Sequence, residues 1–153
     1  MKTSWLLLSV FVLNPILPFP NNSQNLKIYQ IIGKKMDYVV SHFGKPAHQD
    51  RSNKEMQCIF YKTDNSQSVF VGNKAEVFQA ECSKTFDSKS AADNELISLI
   101  KGCKNEGYEI DTLNISEYNM NIPGIKINVS LFENNFSKKY EIKVKANKSV
   151  GLK

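Results

Sequence analysis

Any acid–base chemistry in this chain would have to start from two histidines, since His42 and His48 are the only ones it has. Asp50 lies two residues beyond His48, and a His–Asp pair can act as a general base with the carboxylate that orients it. A hydrolase built on that pair also needs a nucleophile, and no Gly-x-Ser-x-Gly elbow occurs. His42, His48 and Asp50 could converge on a metal ion, but neither a His-x-x-x-His spacing nor a carboxylate-rich loop accompanies them. Glu106, Glu109, Asp111 and Glu117 straddle a turn and a strand without EF-hand spacing, and read as solvated charge. The expectation is a protein that is not an enzyme, with no catalytic residue, metal or cofactor. The competing reading is a small secreted hydrolase using His48 and Asp50.

The sulfur chemistry is limited to Cys58, Cys82 and Cys103. Their spacing fits no zinc ribbon or redox pair, and an odd count allows one disulfide and one thiol. The compartment follows from the N-terminus. Lys2 precedes an apolar run, Trp5 to Leu13, which Asn14, Pro15, Pro18 and Pro20 then break. That run suits a signal peptide over residues 1–20 and is short for a membrane span of about 20 residues. No small-x-small pattern lies between Ile16 and Gln24, so an uncleaved anchor is the alternative to a secreted or periplasmic protein. No cysteine follows the run to carry a lipid. Asn-x-Ser sequons at Asn21, Asn114, Asn128, Asn135 and Asn147 bear on a eukaryotic secretory pathway only.

The elements that must position these groups alternate between two periods. Met36, Val39, Val40 and Phe43 recur at helical spacing between Gly33 and Gly44, and Pro46 blocks continuation. A polar loop, Lys45 to Glu55, leads to short strands at Gln57–Lys62, Ser68–Val71 and Ala75–Cys82. Turn lengths place Cys58 near Gly72 and Cys82 near Asn65, with Cys58, Phe60, Phe70, Ala80 and Cys82 on one face and Ile59, Tyr61, Val69 and Val71 on the other. That register separates Cys58 from Cys82 by about 20 Å, beyond the roughly 7 Å a disulfide spans between alpha carbons.

A second unit opens with Ser90 and Asp93 as a capping box. Leu96, Leu99, Ile100 and Cys103 form its helical stripe, and Gly107 is placed to end it. Strands follow at Tyr108–Glu117, with a bulge between Ile110 and Leu113, at Gly124–Phe132 and at Lys139–Asn147. The expected fold is α+β: two helix-plus-three-stranded antiparallel meander units, α-βββ-α-βββ, over residues 24–86 and 87–153, sharing one core. A helix packed back on the first meander would bring Cys103 to Cys82, so Cys82–Cys103 is the expected disulfide.

Gly33, Val39, Phe43, Gly44 and Pro46 also carry a resemblance. They stand at the spacing of a pattern that runs Gly-Met-Thr, a helix with Val at this place, then Leu-Gly-x-Pro. The stretch resembles the superfamily of small outer-membrane-assembly lipoproteins (SmpA/OmlA type) and the beta-lactamase inhibitory protein. An aromatic-rich strand such as Ile59-Phe60-Tyr61 follows in that superfamily. The resemblance implies helices on an antiparallel sheet and a role in binding other proteins. It covers Leu26 to Cys82; Lys34-Lys35 replace Met-Thr, and the lipid-bearing cysteine is missing.

With 41% hydrophobic residues in 153, the chain can bury one moderate core. A net charge of +5 permits contact with anionic surfaces, here through Lys126, Lys143 and Lys145 facing outward from the last two strands. No aromatic residues interleave with them, which argues against nucleic acid. The expected function is an exported, non-enzymatic protein-binding module with an envelope-assembly, inhibitor or immunity-type role. Its expected contact residues are Ile59, Tyr61, Val69 and Val71 on the uncovered face, with Lys62 and Lys74 on the rim.

Overall fold

A computed structural model describes residues 26–149; the expected signal peptide lies outside the described residues. The chain begins with a 3-10 turn at Ile28–Ile31, whose Ile28, Tyr29 and Ile31 are buried. Gly33 follows at φ 82°, a conformation glycine adopts without steric penalty. There the chain is pinned by Gly33 N–H to the Val77 carbonyl (2.8 Å) and Val77 N–H to the Lys34 carbonyl (2.7 Å). Helix α1, Met36–Phe43, has no side-chain cap at Lys35. Gly44, at φ 81°, ends it as expected, its N–H bonded to the Val40 carbonyl.

Four strands follow: β1 His48–Asp50, β2 Gln57–Lys62, β3 Ser66–Gly72 and β4 Val77–Phe86. Helix α2, Lys89–Asn105, is capped by the Ser88 hydroxyl, which accepts from Ala91 N–H at 3.2 Å. The expected capping box at Ser90 and Asp93 is thus replaced, and Asp93 pairs instead with Lys89 one turn back. Four more strands complete the chain: β5 Glu109–Asn114, β6 Glu117–Ile122, β7 Ile125–Glu133 and β8 Tyr140–Lys148.

The expected pair of three-stranded meanders is corrected by the sheet. All the strands join one eight-stranded antiparallel sheet in the order β1-β2-β3-β4-β8-β7-β6-β5. Each half gives four strands after a helix, and the halves meet where β4 pairs with β8. Strand β1 carries no apolar alternation, since all three of its residues are exposed, and it is joined to the sheet by pairing with β2. The single strand expected at Tyr108–Glu117 is β5 plus a turn, and the polar β6 behind it carries one fully buried residue, Met120. The register shift between Thr112 and Asn114 lies at the expected bulge.

The helices and the 3-10 turn cover one face only. On that inner face one row crosses the whole sheet: Gln49, Ile59, Phe70, Ala80, Ala146, Ile127, Met120 and Ile110. From Ile59 to Met120 every member is buried. Two alanines at the seam leave room for the 3-10 turn, which packs on β4 and β8. A second inner row holds Tyr61, Ser68, Cys82, Val144, Val129 and Tyr118.

Candidate functional site

Nothing in the described chain covers the outer face. It is built by the residues that alternate with the core rows, so its composition follows from strand geometry. In the first half it presents Cys58, Phe60, Val69 and Val71, all half-buried. In the second half the matching positions hold Asn121, Asn119, Asn128 and Lys126. At the seam Glu81 pairs with Lys145 at 2.9 Å and accepts from Gln79 Nε2 at 2.9 Å. Lys143 lies over the Phe132 ring at 5.6 Å.

Shallow hollows run along this face. One of about 190 Å³ is lined by Phe60, Val69, Glu81 and Lys143 among others. Another of about 320 Å³ lies over β6–β8, lined by Leu113, Asn119, Asn128, Ser130, Lys143 and Lys145 among others. Lys143 belongs to both, so the hollows are neighbours on one surface.

The expected contact residues divide between the faces. Ile59 and Tyr61 are core, at 0% and 4% exposure. The Tyr61 ring lies against Phe43 and Phe70, and its hydroxyl donates to the Gly44 carbonyl at 2.9 Å. Their assignment to the uncovered face is corrected. Val69 and Val71 do lie on that face, joined by Phe60 and Cys58. The cause is register: Cys58 pairs with Val71 and Cys82 with Ser68, rather than near Gly72 and Asn65. A one-residue slip moves a whole strand to the opposite face. Lys62 is exposed at the end of β2, and Lys74 is exposed in the β3–β4 turn. Phe60 was legible as a strand residue, but only the pairing assigns its face.

The histidines do not meet. His48 and Asp50 share the outer side of β1, opposite Phe60 and Cys58. Asp50 Oδ1 accepts from Ser52 N–H (2.9 Å) and Ser52 Oγ (2.7 Å), which hold its carboxyl below the usual range, with a smaller contribution from His48. His42 is on α1, stacked on Tyr38 and edge-on to Phe43. Among the described residues, no three His, Cys, Asp or Glu side chains are grouped to hold a metal ion.

The expected Cys82–Cys103 disulfide is also corrected: Cys58, Cys82 and Cys103 are free thiols. Cys82 faces Ser68 on the inner side of β4, whereas Cys103 lies against Tyr29 beneath the 3-10 turn. Helix α2 does pack on β4 and β8, but it leaves the two thiols with different neighbours, Ser68 for Cys82 and Tyr29 for Cys103. Burial pushes both thiols up. Tyr29 donates to Glu106 Oε1 at 3.0 Å, and burial, followed by Cys103 and Glu106, raises its phenol far above the ordinary value. Tyr108, edge-on to Tyr29 at 5.4 Å, is pushed up to about 12, first by burial.

No protein-family model matches the chain, and no curated protein does. Likenesses do occur among solved structures. The chain is similar to a cysteine-rich secretory protein from Staphylococcus aureus, at 14% identity and TM-score 0.46, over 86% of this chain and 49% of that one. It is also similar to an extracellular protein containing an SCP domain from Bacillus anthracis, at 10% identity and TM-score 0.47, over 92% of this chain and 50% of that one. The chain therefore spans about half the length of either protein. No helix among the described residues is long and apolar enough to cross a membrane.

Proposed function

We propose that this chain is an exported, non-enzymatic protein-binding module whose contact surface is the outer face of the sheet. One observation carries the reading: an eight-stranded sheet is covered on one side only, and its bare side holds Phe60, Val69 and Val71 together. Apolar side chains grouped on an open surface mark interaction sites. The N-terminal apolar run supports export, either secreted or periplasmic, with an uncleaved anchor as the alternative outcome. The glycine-bounded helix that resembles the outer-membrane-assembly lipoproteins and the beta-lactamase inhibitory protein supports an assembly, inhibitor or immunity-type role. Gly33 and Gly44, which bound that helix, both take positive φ.

Site-specific photocrosslinking tests the reading. A crosslinker at Val69 should capture a partner from envelope extract that one at Ile97, exposed on α2, does not. Phe60→Asp should abolish that capture with the fold intact. Capture at Ile97 alone, or capture at Val69 that survives Phe60→Asp, overturns the assignment of the face.

A further inference from the structure

The exposed apolar side chains of this chain are not scattered. Four of the seven large ones among the described residues, Leu113, Ile115, Phe132 and Phe136, lie at one end of β5–β8. Ile115 is in the β5–β6 turn at 90% exposure, and Phe136 is in the β7–β8 loop at 100%. Strand pairing makes these two tips neighbours. Asn114 pairs with Glu117 and Glu117 with Ser130, and Leu131 N–H donates to the Ser116 carbonyl at 2.8 Å. Strand β7 then runs on through Phe132 and Glu133 to the loop, so Phe136 stands beyond Ile115 at the same end of the sheet.

Both tips are held in place by their own asparagines. Asn134 Oδ1 accepts from Phe136 N–H at 3.0 Å and Ser137 N–H at 3.2 Å, and the Asn134 carbonyl accepts from Lys138 N–H at 2.8 Å. Asn114 Oδ1 accepts from Ser116 N–H at 2.8 Å, and the Ile115 carbonyl accepts from the Tyr118 hydroxyl at 3.1 Å. A fixed loop that keeps a phenyl ring wholly in water forgoes the gain of burying it, which only a partner can return.

We propose that these tips enter the interface of a lipid bilayer, with Phe136 deepest and Ile115, Phe132 and Leu113 beside it. This contact is separate from the protein-contact surface on the outer face and does not depend on it. The backbone of the tips names the occupant. Peptide groups entering a bilayer find no water and must be bonded internally, and the bonds around Phe136 and Ile115 achieve that within each turn. Two side chains projecting singly from separate turns also suit a fluid phase, which closes around each of them. Charge does not select the lipid. Both signs stand around the tips, with Lys138, Lys139 and Lys143 near Asp87, Glu133 and Glu141, and Lys139 is paired with Asp87 at 2.8 Å. A zwitterionic surface, entered by apolar transfer, is therefore sufficient.

The full chain carrying the photocrosslinker p-benzoylphenylalanine at Phe136, at Ile115 or at Ile97, the last exposed on α2, can be mixed with phosphatidylcholine vesicles and its adducts read by mass spectrometry. Lipid adducts are expected at Phe136 and Ile115 and not at Ile97. Their yield should hold as salt rises, because no ion pair makes the contact. Ile115→Asp should cut the yield at Phe136 by about tenfold, since it removes one apolar anchor and brings a charge to the interface. Lys104→Glu, exposed on α2, should leave it unchanged. No lipid adduct at Phe136, equal adducts at Ile97, or adducts that need phosphatidylglycerol and vanish with salt overturn the inference. Capture of a protein from envelope extract at Phe136 in place of lipid overturns it too. Val69 lies on the sheet and not at its tips, so partner capture there succeeds or fails independently of these outcomes.

Discussion

The two halves of the sheet share one layout and one apolar inner face, and differ in what they place on the outer face. Strands β1–β4 and β5–β8 meet at β4 and β8 and run outward in the same sequence on either side. On the inner face the halves answer each other. Ala80 matches Ala146 at the seam, Phe70 matches Ile127 one strand out, and Ile59 matches Met120 beyond that. On the outer face the correspondence fails. Phe60, Val69 and Val71 in the first half stand where the second has Asn119, Asn128 and Lys126. Packing constrains the covered side of both halves alike, so unlike sequences converge there. Solvent leaves the other side unconstrained, so the two halves diverge there.

The largest effects should come from the matched core pair. Phe70→Ala removes a fully buried ring that touches Phe43 and Tyr61, and should destabilise by about 3–5 kcal/mol. Ile127→Ala, at the matching place, should cost about 2–5 kcal/mol, with the smaller loss expected because no aromatic cluster collapses with it. Denaturant unfolding checks both. If Ile127→Ala proves the more damaging, the first half is not the more tightly packed one.

Next come the seam alanines. Ala80→Leu or Ala146→Leu drives a branched side chain into the space beneath the 3-10 turn, and each should cost about 1–3 kcal/mol. Thermal melts of both variants test whether the halves share one core: equal losses are expected, since the alanines are directly paired. A loss confined to one of them would mean the turn leans on a single half.

Glycine strain should be smaller again and independent of packing. Gly44 and Gly124 have φ of 81° and 90°, and an added Cβ at either meets nothing within 4 Å. Alanine at each should therefore cost only the left-handed penalty of about 1–2 kcal/mol. A much larger loss at Gly44 would show that the end of α1 is held more rigidly than the β6–β7 turn.

The smallest effect concerns pH. Ser52 lowers the Asp50 carboxyl in the folded state, so this bond stabilises above the unfolded carboxylate's titration and is lost as pH falls through the folded one. Ser52→Ala should move the Asp50 titration upward, which NMR at the side-chain carboxyl will read. An unmoved titration would assign the shift to something other than Ser52.

Much of this protein was legible as local pattern. Met36 to Gly44 and the stripe ending in Cys103 specify helices by their period, and Gly44 and Gly107 end them because both take positive φ. Ile127, Val129, Leu131, Ile142, Val144 and Ala146 alternate so regularly that their burial followed from the sequence alone. That alternation also put Lys126, Lys143 and Lys145 outside. Where both sides of a strand are apolar, alternation has two solutions, and β2 and β3 are such strands. Only the pairing of Cys58 with Val71 chose between them, sending Ile59 and Tyr61 into the core and leaving Phe60 and Val69 half-buried on the outer face. The edge strand β1 was hidden for the opposite reason, since it has no apolar pattern and exists through backbone bonds to β2. Periodicity gives each strand its two sides. Which side meets the helices is decided by contacts between residues far apart in the chain, and those exist only once the sheet has closed.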